Sequence, residues 1–131
     1  MIEVLSLATV RERFVTGTPM RQFLYERLHV VVTCLHETGK VAHIYLFGSF
    51  PTQVPMPNDV DLFVVMAADF KTSGLTDEIL AVFMHDSCRI RYNADVFWVT
   101  ESIGTEHIAD ALAVFSRDRQ FRAQPIVEVI P

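Results

Sequence analysis

A mixed β-sheet with helices packed on it, an α+β fold with some α/β-like alternation, is the architecture this sequence predicts. Three observations carry it. The runs Ile44-Tyr45-Leu46-Phe47 and Leu62-Phe63-Val64-Val65 are continuously apolar, as strands buried on both faces are. Phe23, Leu24, Leu28, Val31, Val32 and Leu35 recur at i, i+3, i+4 spacing, which gives a helix with a core-facing stripe. Glycine, proline and polar clusters divide the remainder into the order helix, helix, strand, strand, helix, strand, helix, strand. With 131 residues, the chain fits a single domain (1–131) that buries about two-thirds of its unfolded surface.

Residues 1–18 begin with a short apolar stretch and continue into Thr9-Val10-Arg11-Glu12-Arg13-Phe14, one short helix that docks Val10 and Phe14 on the core. Thr18-Pro19 is a helix start, an N-cap hydroxyl followed by proline in the first turn. That helix runs to about Thr38, with Gly39 as its stop. Arg21, Arg27, His29, His36 and Glu37 are expected mostly on its surface. Val41–Phe47 is the first strand, with His43 at its edge, and Gly48-Ser49 is the turn that ends it. The loop 50–58 carries three prolines and no basic residue, so it forms no regular helix. A second strand opens at Asp59-Val60-Asp61 and runs to Met66. Thr76 caps the next helix, with Asp77 and Glu78 in its first turn. Residues 88–99 read as mostly extended, which would put Arg89, Arg91 and Asp95 on one strand face. Thr105 caps a helix to about Phe115. Residues 116–124 form a basic turn holding Arg117, Arg119 and Arg122, read as solvated, and residues 125–130 a last edge strand.

The chemistry gathers between Tyr45 and Met66. Asp59 and Asp61 are two apart at a strand start, so they face the same way, roughly 7 Å apart along the chain. Like charges at the edge of a core repel, and no Lys or Arg lies between Lys40 and Lys71 to relieve them locally. A hard divalent cation would, and paired carboxylates suit Mg²⁺ when a substrate phosphate completes its shell. Gly48 lets the backbone turn sharply or a ligand approach. Ser49 adds a hydroxyl and an N–H that can meet a phosphate.

The pattern Phe47-Gly48-Ser49, nine residues, then Asp59-Val60-Asp61-Leu62 resembles the nucleotidyltransferase superfamily of the polymerase-beta type. The whole chain is also similar to small single-domain bacterial nucleotidyltransferase-like proteins. The resemblance implies a minimal nucleotidyltransferase fold with a third carboxylate on a neighbouring strand, which Asp95 in Ala94-Asp95-Val96-Phe97 matches. It further implies two Mg²⁺ ions, replaceable by Mn²⁺, held by Asp59, Asp61 and Asp95. Asp95 would be the general base, and Gly48 and Ser49 would meet the β- and γ-phosphates of a nucleoside triphosphate. Many superfamily members follow the Gly-Ser with a helix and a basic residue near the phosphates. The proline-rich loop here departs from that, so basic side chains must come from elsewhere in the chain.

Half the residues are hydrophobic, 21% are charged and the net charge is −5. An acidic chain is poorly suited to gripping long nucleic acid. Cys34 and Cys88 are read as buried thiols, without a disulfide framework. With no signal peptide and no membrane span, the expected location is the cytoplasm. The expected activity is metal-dependent transfer of a nucleoside monophosphate from a nucleoside triphosphate to a protein or small acceptor. The rival is a binding module that acts through a protein, in the manner of antitoxin-like partners of HEPN-type toxins, or a degenerate scaffold that keeps only the fold. No length remains for an acceptor domain, so a partner or a second copy in a homodimer would complete that site.

Overall fold

The computed structural model describes residues 2–131. Five strands form one mixed sheet in the order β1-β5-β2-β3-β4. They are β1 (Glu3–Ser6), β2 (Val41–Phe47), β3 (Val60–Met66), β4 (Ala94–Thr100) and β5 (Val127–Ile130). The pairs β1–β5 and β3–β4 are parallel, while β2 is antiparallel to both β3 and β5. The expected α+β sheet with packed helices is therefore present. The helices are α1 (Leu7–Phe14), α2 (Pro19–Glu37), α3 (Asp77–Val82), α4 (His85–Tyr92) and α5 (Thr105–Phe115).

Strand alternation sorts the core into two layers. Ile44, Leu46, Leu62, Val64, Met66 and Val96 face α1 to α4, whose apolar stripes cover them. Tyr45, Phe47, Phe63 and Val65 face the other way and are covered by Ile108, Leu112 and Phe115 of α5. That second layer is thinner, because among the described residues α5 is the one helix packed on it.

Local signals account for most boundaries. Thr18 accepts the N–H of Arg21 at the start of α2, and Gly39 beyond its end takes φ 68°. Thr76 likewise accepts from Ile79 at the start of α3. Several expectations are corrected. The N-terminal stretch contains β1, a four-residue strand paired in parallel with β5. Residues 88–92, expected to be extended, belong to helix α4: Cys88 and Tyr92, four apart, are both buried, and Asn93 ends the turn in the left-handed conformation at φ 51°. Arg89, Arg91 and Asp95 thus share no strand face, and Arg91 turns to the carbonyl of Asp77. The cap of α5 is Gly104, not the hydroxyl of Thr105. Finally, Arg21 is buried, whereas Phe23, assigned to the stripe, is exposed under the Arg27 guanidinium.

His43 pairs with Glu128 at 2.8 Å across the β2–β5 pair; β5 lies between β1 and β2 and is not the edge strand expected, because β1 covers its outer side. Among the described residues, no helix is long and apolar enough to cross a membrane.

Candidate metal and nucleotide site

Three sheet features assemble the site. Parallel pairing sets Asp61 directly beside Asp95, while antiparallel pairing sets Phe47 opposite Asp61. Because Gly48 follows Phe47, the turn wraps back over the Asp61 carboxylate. Asp59 lies just before β3, on the same side by alternation. Oxygens of Asp59, Asp61 and Asp95 come within 4.8 Å of one another. All three predicted carboxylates and the Gly-Ser turn are therefore brought together.

Gly48 takes φ 78°, and a Cβ built on it would lie 2.1 Å from Asp61 Oδ2. The turn needs glycine twice, for its backbone angle and for the space the carboxylate fills. Ser49 follows half-buried, and its carbonyl accepts the N–H of Thr52 at 3.2 Å.

The electrostatics are those of crowded anions. Burial, then the charges of Asp59 and Asp95, push the Asp61 carboxyl up to about 7. Burial and the neighbouring Asp95 also raise Asp59. Arg119 and Arg89 act in the opposite sense on both groups. Helix α4 presents His85 and Arg89, one turn apart, to a single oxygen: His85 Nε2 is 3.6 Å and Arg89 Nε 3.2 Å from Asp95 Oδ1. Neither approach has hydrogen-bond alignment, so Asp95 Oδ1 is buried without a hydrogen-bond partner. The oxygen is thus ion-paired by Arg89 but not hydrogen-bonded, which leaves a buried carboxylate incompletely satisfied. Three hard oxygen donors, one without a hydrogen bond, beside a turn that leaves no room for a side chain, fit Mg²⁺ or Mn²⁺.

Two contributors escape motif reading. The first is Arg21, 3% exposed. Its Nη1 donates to the carbonyls of Phe14 (2.9 Å) and Phe50 (2.7 Å), its Nη2 to those of Thr52 (2.7 Å) and Val54, and its Nε to Val54 again. One planar guanidinium thus ties down the proline-rich loop that joins Ser49 to Asp59. Lysine, with a compact ammonium, has no equivalent fork. A signal for it exists: position 21 falls three before Leu24 and seven before Leu28, on the buried stripe of α2. Replacing Arg21 with Ala strands several carbonyls, and unfolding in urea should reveal a loss of about 3 kcal/mol or more. A loss under about 1 kcal/mol would mean that the loop holds itself.

The second is the hairpin between α5 and β5. Asp118 clamps Arg122 at 2.8 Å, and Arg117 donates to the carbonyl of Phe121. Arg119 is the member of this cluster whose charge is felt by the site carboxylates. Arg117, Arg119 and Arg122 are all exposed, as expected of a solvated turn, and the charge of Arg119 opposes the upward shift of Asp59 and Asp61. A recess of about 140 Å³ lined by Asn58, Asp59, Arg89, Asn93 and Ala94 opens beside Asp59. A larger cavity of about 760 Å³ lies between α1 and α2, away from the carboxylates.

A family model described as "Family of unknown function (DUF6932)" matches residues 2–130. The chain belongs to the DUF6932 family. No curated protein and no solved structure matches it. For this DUF6932 member, the functional reading therefore rests on the site itself.

Proposed function

We propose that the chain is a metal-dependent nucleotidyltransferase that moves a nucleoside monophosphate from a nucleoside triphosphate to a hydroxyl on a protein or small acceptor. The observation that carries this reading is the convergence of Asp59, Asp61 and Asp95 within 4.8 Å, under a glycine turn with no space for a side chain. It agrees with the likeness to the polymerase-beta type superfamily. When bound, divalent ions would neutralise the polyphosphate and lower the pKa of the attacking hydroxyl.

The chain's own residues supply the rest. Asp59 and Asp61 hold the charge that draws the ions in. The Gly48-Ser49 turn admits a phosphate close to its backbone N–H groups and to the Ser49 hydroxyl. Arg89 and Arg119 offer the counter-charge that the loop 50–58 lacks. Asp95 accepts the acceptor's proton as its oxygen bonds to the α-phosphorus. The bond from that phosphorus to the β-bridging oxygen breaks, and pyrophosphate leaves with the electron pair. Positioning and charge, more than covalent chemistry, set the rate. Cys34 and Cys88, both buried and unpaired, suit a reducing cytoplasm.

A second reading is a fold retained to bind a protein, in the antitoxin-like manner. Met84 and Ile90, 53% and 84% exposed, favour it, since they line an apolar groove between α3 and α4.

One thermal-melt screen separates the two. Each nucleoside triphosphate is tested with Mg²⁺ or Mn²⁺ on wild type and on Asp61→Asn. A ligand at 100 times its Kd adds roughly 2.7 kcal/mol, a shift of several degrees. A metal-dependent shift that Asp61→Asn abolishes is expected. No shift with any nucleotide would transfer the weight to the protein-binding reading.

A further inference from the structure

We propose that Phe97 is the stacking platform for the substrate's nucleobase, and that the preferred substrate is accordingly a purine nucleoside triphosphate. The inference rests on the nucleotide reading above and names the residue that would hold the base.

Placement comes first. Asp95 and Phe97 are two apart on β4, so their side chains leave the same face of the sheet. The register confirms the layer: Asp61 lies beside Asp95 and Phe63 beside Phe97. Two residues of strand separate Phe97 from the carboxylates by roughly 7 Å. That is about the length of the sugar that links an α-phosphate to its base. A nucleotide anchored by its phosphates at Asp61 and Asp95 therefore has an aromatic ring one sugar away, on the same face.

Exposure comes next. Phe47, Phe63, Phe97 and Phe115 form one aromatic cluster on this side. Phe47 and Phe63 are closed under α5, at 7% and 2% exposure, whereas Phe97 is 42% exposed. The open ring is nevertheless held. Its centroid lies 5.5 Å from Phe115, 6.3 Å from Phe47 and 6.2 Å from His85, all tilted. A π-face fixed in advance costs little entropy when a flat ligand settles on it.

The neighbours also predict the kind of selectivity. Phe47, Phe63, Phe115 and Val99 share this face and offer no hydrogen bond to a base edge, while the imidazole of His85 stands 6.2 Å from the Phe97 ring. Recognition is then by stacking, which every base supports and larger rings support more strongly. Purines should outrank pyrimidines.

The test compares ATP, GTP, CTP and inorganic tripolyphosphate by calorimetric titration with Mn²⁺ present. The proteins are wild type, Phe97→Leu and Phe97→Trp, each checked for an unchanged fold by circular dichroism. Leucine keeps apolar bulk against Phe115 and removes the π-face, and tryptophan keeps the face. Phe97→Leu is expected to weaken ATP and GTP roughly tenfold or more, to leave tripolyphosphate unchanged and to narrow the gap between ATP and CTP. Phe97→Trp should retain ATP. If Phe97→Leu weakens ATP and tripolyphosphate equally, or leaves both unchanged, stacking on Phe97 is overturned while the nucleotide reading stands. If wild type binds neither ATP nor tripolyphosphate, the nucleotide reading falls and takes this inference with it.

Discussion

Gly48→Ala is expected to abolish metal-dependent nucleotide binding and to lower the melting temperature, although it adds one methyl group. Two costs combine. The first is the backbone: φ is 78°, a region in which a non-glycine residue costs on the order of 1–3 kcal/mol. In a domain of this size that is roughly 4–10 °C of melting temperature. The second is specific to the site. The new Cβ would lie 2.1 Å from Asp61 Oδ2, 3.0 Å from its Cγ and 3.2 Å from its Cβ, so the carboxylate must swing out of the triad or the turn must open. Either movement separates Asp61 from Asp59 and Asp95. Gly74→Ala is the control, because Gly74 has φ 80° and nothing within 4 Å of its added Cβ. It should lose a similar amount of stability and keep the metal-dependent shift. Retention of that shift in Gly48→Ala would show that the turn is not part of the site.

That contrast explains how much of the molecule can be read in its sequence. Gly48, Asp59, Asp61 and Asp95 are legible because they lie at the ends of adjacent strands, and strand pairing alone brings them together. Strands β2 and β3 are legible for a related reason: continuous apolar runs have few other uses in a chain this short. Helix α4 is not. Arg89-Ile90-Arg91-Tyr92 alternates polar and apolar like an edge strand, yet Ile90 is 84% exposed while Cys88 and Tyr92 are buried. The helical period was present, but in only two residues. Strand β1 has four residues, too few for a period, and it forms because β5 offers a parallel edge.

Charged residues were hardest to place. Arg21 lies on the apolar stripe of α2, but what it serves is a set of carbonyls some thirty positions later, where a proline-rich loop has few donors of its own. Arg89 reaches Asp95 from a helix rather than from the strand expected to carry it. Arg119 sits in an exposed turn that is closed by the Arg117–Ala123 bridge. In each case the residue's task is set by backbone that local pattern does not place.

Removal of the Asp61 charge is expected to stabilise the metal-free protein above neutral pH while destroying its metal site. The carboxyl is pushed from 3.8 up to about 7, by burial first and then by Asp59 and Asp95. A group whose pKa is raised by folding is bound more favourably in its protonated form. Its contribution is intact below about pH 4, declines as pH rises through about 7, and is lost above that. The loss in the metal-free state reaches up to about 4 kcal/mol. Asp59, shifted in the same direction, adds to the trend. Wild type without metal should therefore melt progressively lower between pH 5 and pH 8. Asp61→Asn should have a flatter profile and exceed wild type most at pH 8, less at pH 5, and not at all below about pH 4. Mg²⁺ or Mn²⁺ should restore wild type at pH 8, since a cation then replaces the missing proton, and should do little for Asp61→Asn. Parallel profiles for the two proteins would mean that Asp61 is not strained by its neighbours. A gain at pH 8 that metal cancels in wild type alone would identify the same carboxylate as the weak point of the empty fold and the anchor of the filled one.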